Sequence, residues 1–148
     1  MIFEKPIKKK IYEDLETRNF IPIIPEPDKV HLQNEFIIIE NKTFNLNMET
    51  EIISNLQNIM SKLDINLSSE KGFPIFFQND NQLLEDQYSI QITKDNIEIK
   101  YNHYGGKLYG LISLVHLIDF YQTKLPICTI HDNPKYQWRG MHLDCARQ

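Results

Sequence analysis

Gly105 to Tyr121 reads GGKLYGLISLVHLIDFY. From Tyr109 onward the apolar side chains of this run fall on more than one face of a helical wheel, so a helix over Tyr109–Tyr121 has to be covered on both sides. The apolar stripe from Leu111 to Phe120 reads as core rather than as a cofactor box. The glycine pair ahead of it predicts a break in the chain, with φ > 0 supplied just before the helix begins. Gly105-Gly106 is too short to cradle a phosphate, because neither G-x-G-x-x-G nor G-x-x-x-x-G-K-[ST] is present.

Upstream of the helix the period changes from helical to two. Tyr88, Ile90 and Ile92 alternate with polar residues, as do Ile97, Ile99 and Tyr101, and Thr93-Lys94-Asp95-Asn96 between them predicts a hairpin. PIFF at Pro74–Phe77 predicts a further strand. Glu49–Leu63 places Ile52, Ile53, Leu56, Ile59, Met60 and Leu63 at helical spacing, with Glu49 and Glu51 near the positive end. FIIIE at Phe36–Glu40 is a β-branched run, and NKTFNLN after it reads as a turn and a short strand. Pro22, Pro25 and Pro27 favour an extended entry to the domain, and residues 1–20 read as an arm with a short helix around Ile11 to Leu15. Downstream, Pro126 ends a connection, ICTI at Ile127–Ile130 is a strand, and HDNPKYQW is a turn-rich linker stopped by Pro134. The expected fold is α+β: a mainly antiparallel sheet over residues 21–130 with two helices packed on one face, then a linker at 131–138 and a last strand at 139–148.

At 148 residues, with 41% hydrophobic and 24% charged residues, the chain can build one ordinary core. A net charge of −4 with acids and lysines mixed along the chain provides no basic stripe for phosphates, so nucleic acid is excluded as an expected partner. No run approaches about 18 apolar residues, so no membrane span is expected. The start, MIFEKPIKKKIYEDL, does not read as a signal peptide, which predicts a cytoplasmic chain as written, or a periplasmic or secreted parent if a leader precedes it. Cys128 and Cys145 are too few for a disulfide framework and read as reduced core or strand residues. His31, His103, His116, His131 and His142 show neither the H-E-x-x-H spacing nor a neighbouring Cys pair, so no metal site is expected, and no cofactor. Glu85 and Asp86 read as solvated turn residues.

In a chain that otherwise prefers lysine, Arg18, Arg139 and Arg147 are the only arginines, and two of them bracket the last strand. Arginine offers a rigid planar fork of donors that keeps its charge, suited to a carboxylate or to vicinal hydroxyls. The plain alternative is an ordinary ion pair with Asp144 or a neighbour.

Taken together, IPIIPEPDKV, EDQYSIQI, NIEIKYN, GGKLYGLISLVHLI, ICTIHDNPKY and WRGMHLDCAR resemble the N-terminal part of a β-N-acetylhexosaminidase of glycoside hydrolase family 20, from about Ile21 to Arg147. The strongest motif is P-x-x-x-W-R-G-x-x-L-D-x-x-R, running from Pro134 to Arg147. The related O-GlcNAcase family also carries R-G after a Y-G-L helix, but continues as E-G-F-Y-G where this chain has His142-Leu143-Asp144.

The resemblance implies a non-catalytic α+β domain whose helices face a catalytic domain, followed by W-R-G opening the first strand of a (β/α)₈ barrel of roughly 250 residues. On a regular strand, eight steps at about 3.3 Å separate Arg139 from Arg147 by roughly 26 Å, so the two cannot serve one site. Barrel sites lie at the C-terminal strand ends. By resemblance, Arg147 binds hydroxyls of the terminal sugar, Asp144 supports it and Arg139 is structural. The family has His after that arginine where this chain has Gln148, an ending that either a reading frame interrupted there or a cloning boundary at that point would produce. The family reaction is substrate-assisted: the substrate's 2-acetamido oxygen attacks the anomeric carbon, one Asp orients that group, and the adjacent Glu is the general acid. That Asp-Glu pair falls far downstream of L-D-x-x-R. No catalytic residue is therefore assigned, and the chain alone is expected to be inactive while its parent acts on N-acetylhexosamine-containing glycans. A different class of function is a free-standing interaction or binding module, which would stay monomeric, whereas a chain lacking its barrel would self-associate through the surface the barrel would cover.

Overall fold

The structure, a computed structural model, describes residues 21–46, 50–136 and Gly140. Among these, seven strands form one sheet: β1 (Lys29–Ile38), β2 (Thr43–Leu46), β3 (Asn66–Ser68), β4 (Phe73–Asn79), β5 (Tyr88–Ile92), β6 (Ile97–Tyr101) and β7 (Lys124–Asp132). A 3-10 turn (Glu40–Lys42) separates β1 from β2. Helix α1 (Thr50–Lys62) follows β2, and helix α2 (Tyr104–Tyr121) follows β6. The strand order is β1-β7-β5-β6-β4-β2-β3.

Period-two alternation decides which side of the sheet is buried. Tyr88, Ile90 and Ile92 sit opposite Tyr101, Ile99 and Ile97 in the β5–β6 hairpin, and the row continues through Ile75 and Phe77 of β4 to Phe44 and Leu46 of β2. On the other flank it runs into Ile130 and Cys128 of β7. Most of these residues are buried, whereas Gln91, Phe76, Gln78 and His131, which alternate with them, are exposed. Helix α2 lies across β5, β6 and β7, and Ile52, Leu56 and Met60 of α1 join the same core cluster. Each fully buried isoleucine or leucine removes enough apolar surface from water to contribute about 1.5–3 kcal/mol.

The sheet is mixed rather than mainly antiparallel. β1–β7, β7–β5 and β5–β6 are antiparallel, but β6–β4, β4–β2 and β2–β3 are parallel. The hairpin is coded locally by its turn, while the parallel pairs need crossovers, through α1 between β2 and β3 and through β5 between β4 and β6, whose pairing no local residue specifies. β3 had no sequence signal at all, being three residues long.

Pro126 does not end a connection; it lies inside β7, a strand with neighbours on both sides. A proline there lacks the N–H a ladder needs. β1 accommodates it, because the register slips between Leu32 and Phe36, where Phe36 pairs with Pro126, and the pairing with β5 ends at Cys128. β1 is likewise longer than the expected Phe36–Glu40, and β7 runs on through His131 and Asp132, residues expected in the linker. Four consecutive residues, Leu125 to Cys128, are buried, so both faces of the sheet are covered at that point.

Gly105 and Gly106 belong to the first turn of α2 rather than to a break before it. Neither has positive φ; Gly72 does, at 111°. What the helix needs is space. A Cβ on Gly106 would lie 2.3 Å from the Gln87 carbonyl oxygen, and one on Gly110 would lie 2.7 Å from Ile99 Cγ2. The glycines let the helix backbone approach the entry to β5. In α1, Ile59 faces outward at 49% exposure instead of joining the core.

Candidate functional site

The residues on which the sequence-based site rests, Arg139, Asp144 and Arg147, lie outside the described residues, as do Arg18, Trp138, His142 and Cys145. The remaining candidates are dispersed. His31 and His131 are exposed on β1 and β7, His103 precedes α2, and His116 is half-buried on α2. Among the described residues, no three His, Cys, Asp or Glu side chains come together in a group that could hold a metal ion. No helix among them is long and apolar enough to cross a membrane.

Asp86 is not a free turn residue. A Cβ on Gly105 would fall 1.9 Å from its Oδ1, so the carboxylate occupies the N-terminal end of α2. That helix has no acidic residue in its first turn and no side-chain cap from His103. A carboxylate from the β4–β5 loop therefore supplies the negative charge that the helix's exposed N–H groups favour. Glu85 beside it is exposed, as expected.

Beneath the middle of α2, at Ser113, lies a polar cluster in otherwise apolar surroundings. The Tyr88 hydroxyl is 2.6 Å from Ser113 Oγ and donates to Asp132 Oδ2 at 3.2 Å, while Asp132 Oδ1 accepts from the Asp28 N–H at 3.3 Å. Burial pushes the Tyr88 hydroxyl well above the usual tyrosine range; the Ser113 hydrogen bond lowers it, and Asp132 raises it further. The phenol is held neutral and cannot serve as a base or nucleophile near neutral pH. Its role is to tie α2 to β5 and to the end of β7. A serine in the midst of LISLV, and a tyrosine on the buried face of β5, were the sequence signals for it. Cys128 is also inert, with burial pushing its thiol up to about 12. Lys107 is buried in the first half of α2 with its Nζ 5.1 Å from the Tyr101 ring centroid and 5.7 Å from that of Phe77, a cation–π arrangement.

Two surfaces remain. On the outer side of α2, Tyr104, Leu108, Ile112 and His116 follow one another at four-residue spacing; Tyr104 is 49% exposed and the other three are half-buried. The cover predicted for that side is thus incomplete among the described residues. At the opposite end of the sheet, Ile38, Glu40, Asn41, Lys71 and Pro74 line an open groove of about 460 Å³. Neither of these two surfaces brings together a nucleophile, an acid and a base.

Comparison with known proteins matches this architecture. Residues 21–133 match the family described as glycosyl hydrolase family 20, domain 2. Beta-hexosaminidase B of Pseudoalteromonas piscicida is 25% identical over 136 residues, which are 86% of this chain and 17% of that protein. Beta-hexosaminidase subunit beta of Entamoeba histolytica is 36% identical over 69 residues, 43% of this chain and 12% of that protein. The chain therefore spans less than a fifth of the length of these relatives. Among solved structures, the GH20 exo-β-N-acetylglucosaminidase from Vibrio harveyi, in complex with N-acetylglucosamine, superimposes with a TM-score of 0.66 at 22% identity, covering 84% of this chain and 21% of that one. With the family's model matching more than two thirds of its length and the same fold in solved family members, this chain belongs to glycosyl hydrolase family 20, of which it carries domain 2.

Proposed function

We propose that the chain is the N-terminal, non-catalytic part of a β-N-acetylhexosaminidase and is itself inactive. The observation that carries this reading is positional: the matched domain ends at residue 133, and P-x-x-x-W-R-G-x-x-L-D-x-x-R follows directly from Pro134. In the parent enzyme, Trp138-Arg139-Gly140 opens the first barrel strand. Arg147 at its C-terminal end hydrogen-bonds the terminal N-acetylhexosamine, Asp144 supports it and Arg139 is structural. The substrate class is supported by the relatives' names and by the N-acetylglucosamine in the Vibrio harveyi structure. The orienting Asp and the acid Glu belong to the downstream barrel, and the outer side of α2 packs against that barrel.

Two measurements test this. The purified 148-residue chain should release no aryl alcohol from an aryl N-acetylglucosaminide, and release that scales with purity overturns the reading. The native gene product should have a mass several-fold above 17.6 kDa; a native product of this mass ends the truncation reading. The half-exposed stripe of Tyr104, Leu108 and Ile112 favours a second reading, a free-standing interaction module. Light scattering separates the two: an adapted module stays monomeric alone, whereas a domain lacking its barrel associates.

A further inference from the structure

The described residues contain four non-glycine positions with positive φ: Asn41 (52°), Lys42 (47°), Asp64 (56°) and Gln122 (58°). Such backbone costs of order 1 kcal/mol or more per residue and persists only where the surroundings enforce it. The four come from three separate stretches of chain, yet one side chain links them. Lys42 Nζ donates to the carbonyl of Leu63, just past the end of α1, and to Gln122 Oε1 at 3.0 Å, at the C-cap of α2. Gln122 in turn donates from Nε2 to the Asp119 carbonyl, and its backbone N–H closes on Ile118. Asn66 Nδ2 completes the junction by donating to the carbonyls of Asn41 and Asp64 at 3.0 and 3.3 Å.

Helix C-termini carry unsatisfied carbonyls and partial negative charge, which a cation stabilises. Here one ammonium contacts a carbonyl just past α1 directly and reaches the end of α2 through the Gln122 side chain, which itself donates to the Asp119 carbonyl. α1 is held to the core by Ile52, Leu56 and Met60, and the junction adds a polar tie just beyond its last turn.

We propose that Lys42 couples the two helices, so that the C-terminal turns of α1 and α2 open together rather than independently. The coupling is a property of the junction and does not rest on the enzymatic reading. Hydrogen exchange on the full 148-residue chain tests it. In Lys42→Met, exchange should accelerate about tenfold over Ile59–Ile65 and over Phe120–Thr123 alike, with β5 and β6 amides unchanged. Lys42→Arg should restore protection, and Gln122→Ala, which removes one partner and keeps the lysine, should loosen the same two segments. Acceleration at one helix end alone, or at neither, overturns the coupling. An equal rise throughout the sheet overturns it too, since that reports general loss of stability.

Discussion

The two flanks of the sheet are built by different means. On one, β1, β7, β5 and β6 pair antiparallel beneath α2, an apolar helix whose glycines bring its backbone against β5. On the other, β4, β2 and β3 pair in parallel and are joined through α1, an amphipathic helix with an exposed face. On the first flank α2 is buried along much of its length, whereas on the second α1 adds a single apolar stripe to the buried Phe44, Leu46 and Ile75 of the strands. Local sequence marks the β5–β6 hairpin and both helices, whereas the β1–β7 pairing on the first flank and the parallel pairs on the second depend on contacts between distant stretches.

Truncating equal side chains in the two helices separates the flanks most clearly. Leu114 is 0% exposed in α2, and Leu56 is 7% exposed in α1. Leu114→Ala should cost about 4 kcal/mol and Leu56→Ala about 2 kcal/mol in chemical denaturation, because a cavity deep in the layer relaxes less. Equal losses would mean that both flanks are packed alike. Gly106→Ala should cost about 2 kcal/mol although alanine is the better helix former, since its Cβ meets a backbone oxygen that cannot swing aside. A neutral or stabilising result would show that α2 does not need its close approach.

Alkaline titration probes the same flank. Unfolded, the Cys128 thiol titrates near 9.0; folded, burial pushes it up to about 12. The unfolded chain gives up this proton first, so the contribution is complete below pH 9 and is lost as pH rises from 9 towards 12, by about 1.4 kcal/mol for each pH unit. Tyr88, raised by burial, adds a loss of the same sign above pH 10. Stability measured at pH 8 and pH 10 should fall in the native chain and fall less in Cys128→Ala. The smallest expected effect is that of Asp86→Ala, about 0.5–1 kcal/mol, from a helix terminus left without its carboxylate. A salt titration that shrinks this difference would support the electrostatic origin.

Legibility follows the distance along the chain over which a feature is written, and it cuts across the two flanks. The β5–β6 hairpin was readable because alternation and turn both lie within Tyr88–Tyr101. α1 was readable to within one residue at each end. Pro126 misled because a proline normally stops a strand, and room for it comes from the slip in β1, almost a hundred residues away, and from the β5 pairing ending at Cys128. Gly105 and Gly106 misled for a similar reason: glycine serves both positive φ and close approach, and only the neighbouring Gln87 carbonyl tells which. Of the polar features, Ser113 and Tyr88 could be suspected from their apolar settings, but Asp86 looked like any turn carboxylate.

Sequence alone determined the alternating and helical periods, the position of the hairpin and the motif order that marks the family, because each is written in residues close together along the chain. Tertiary structure decided the parallel flank, the use of the glycines, the place of Asp86 at the head of α2 and the meeting of Lys42 with both helix ends. Those depend on which distant segments come into contact, and the physical reason is that crossover pairing, close packing and helix-end charge are satisfied by partners the local sequence does not name.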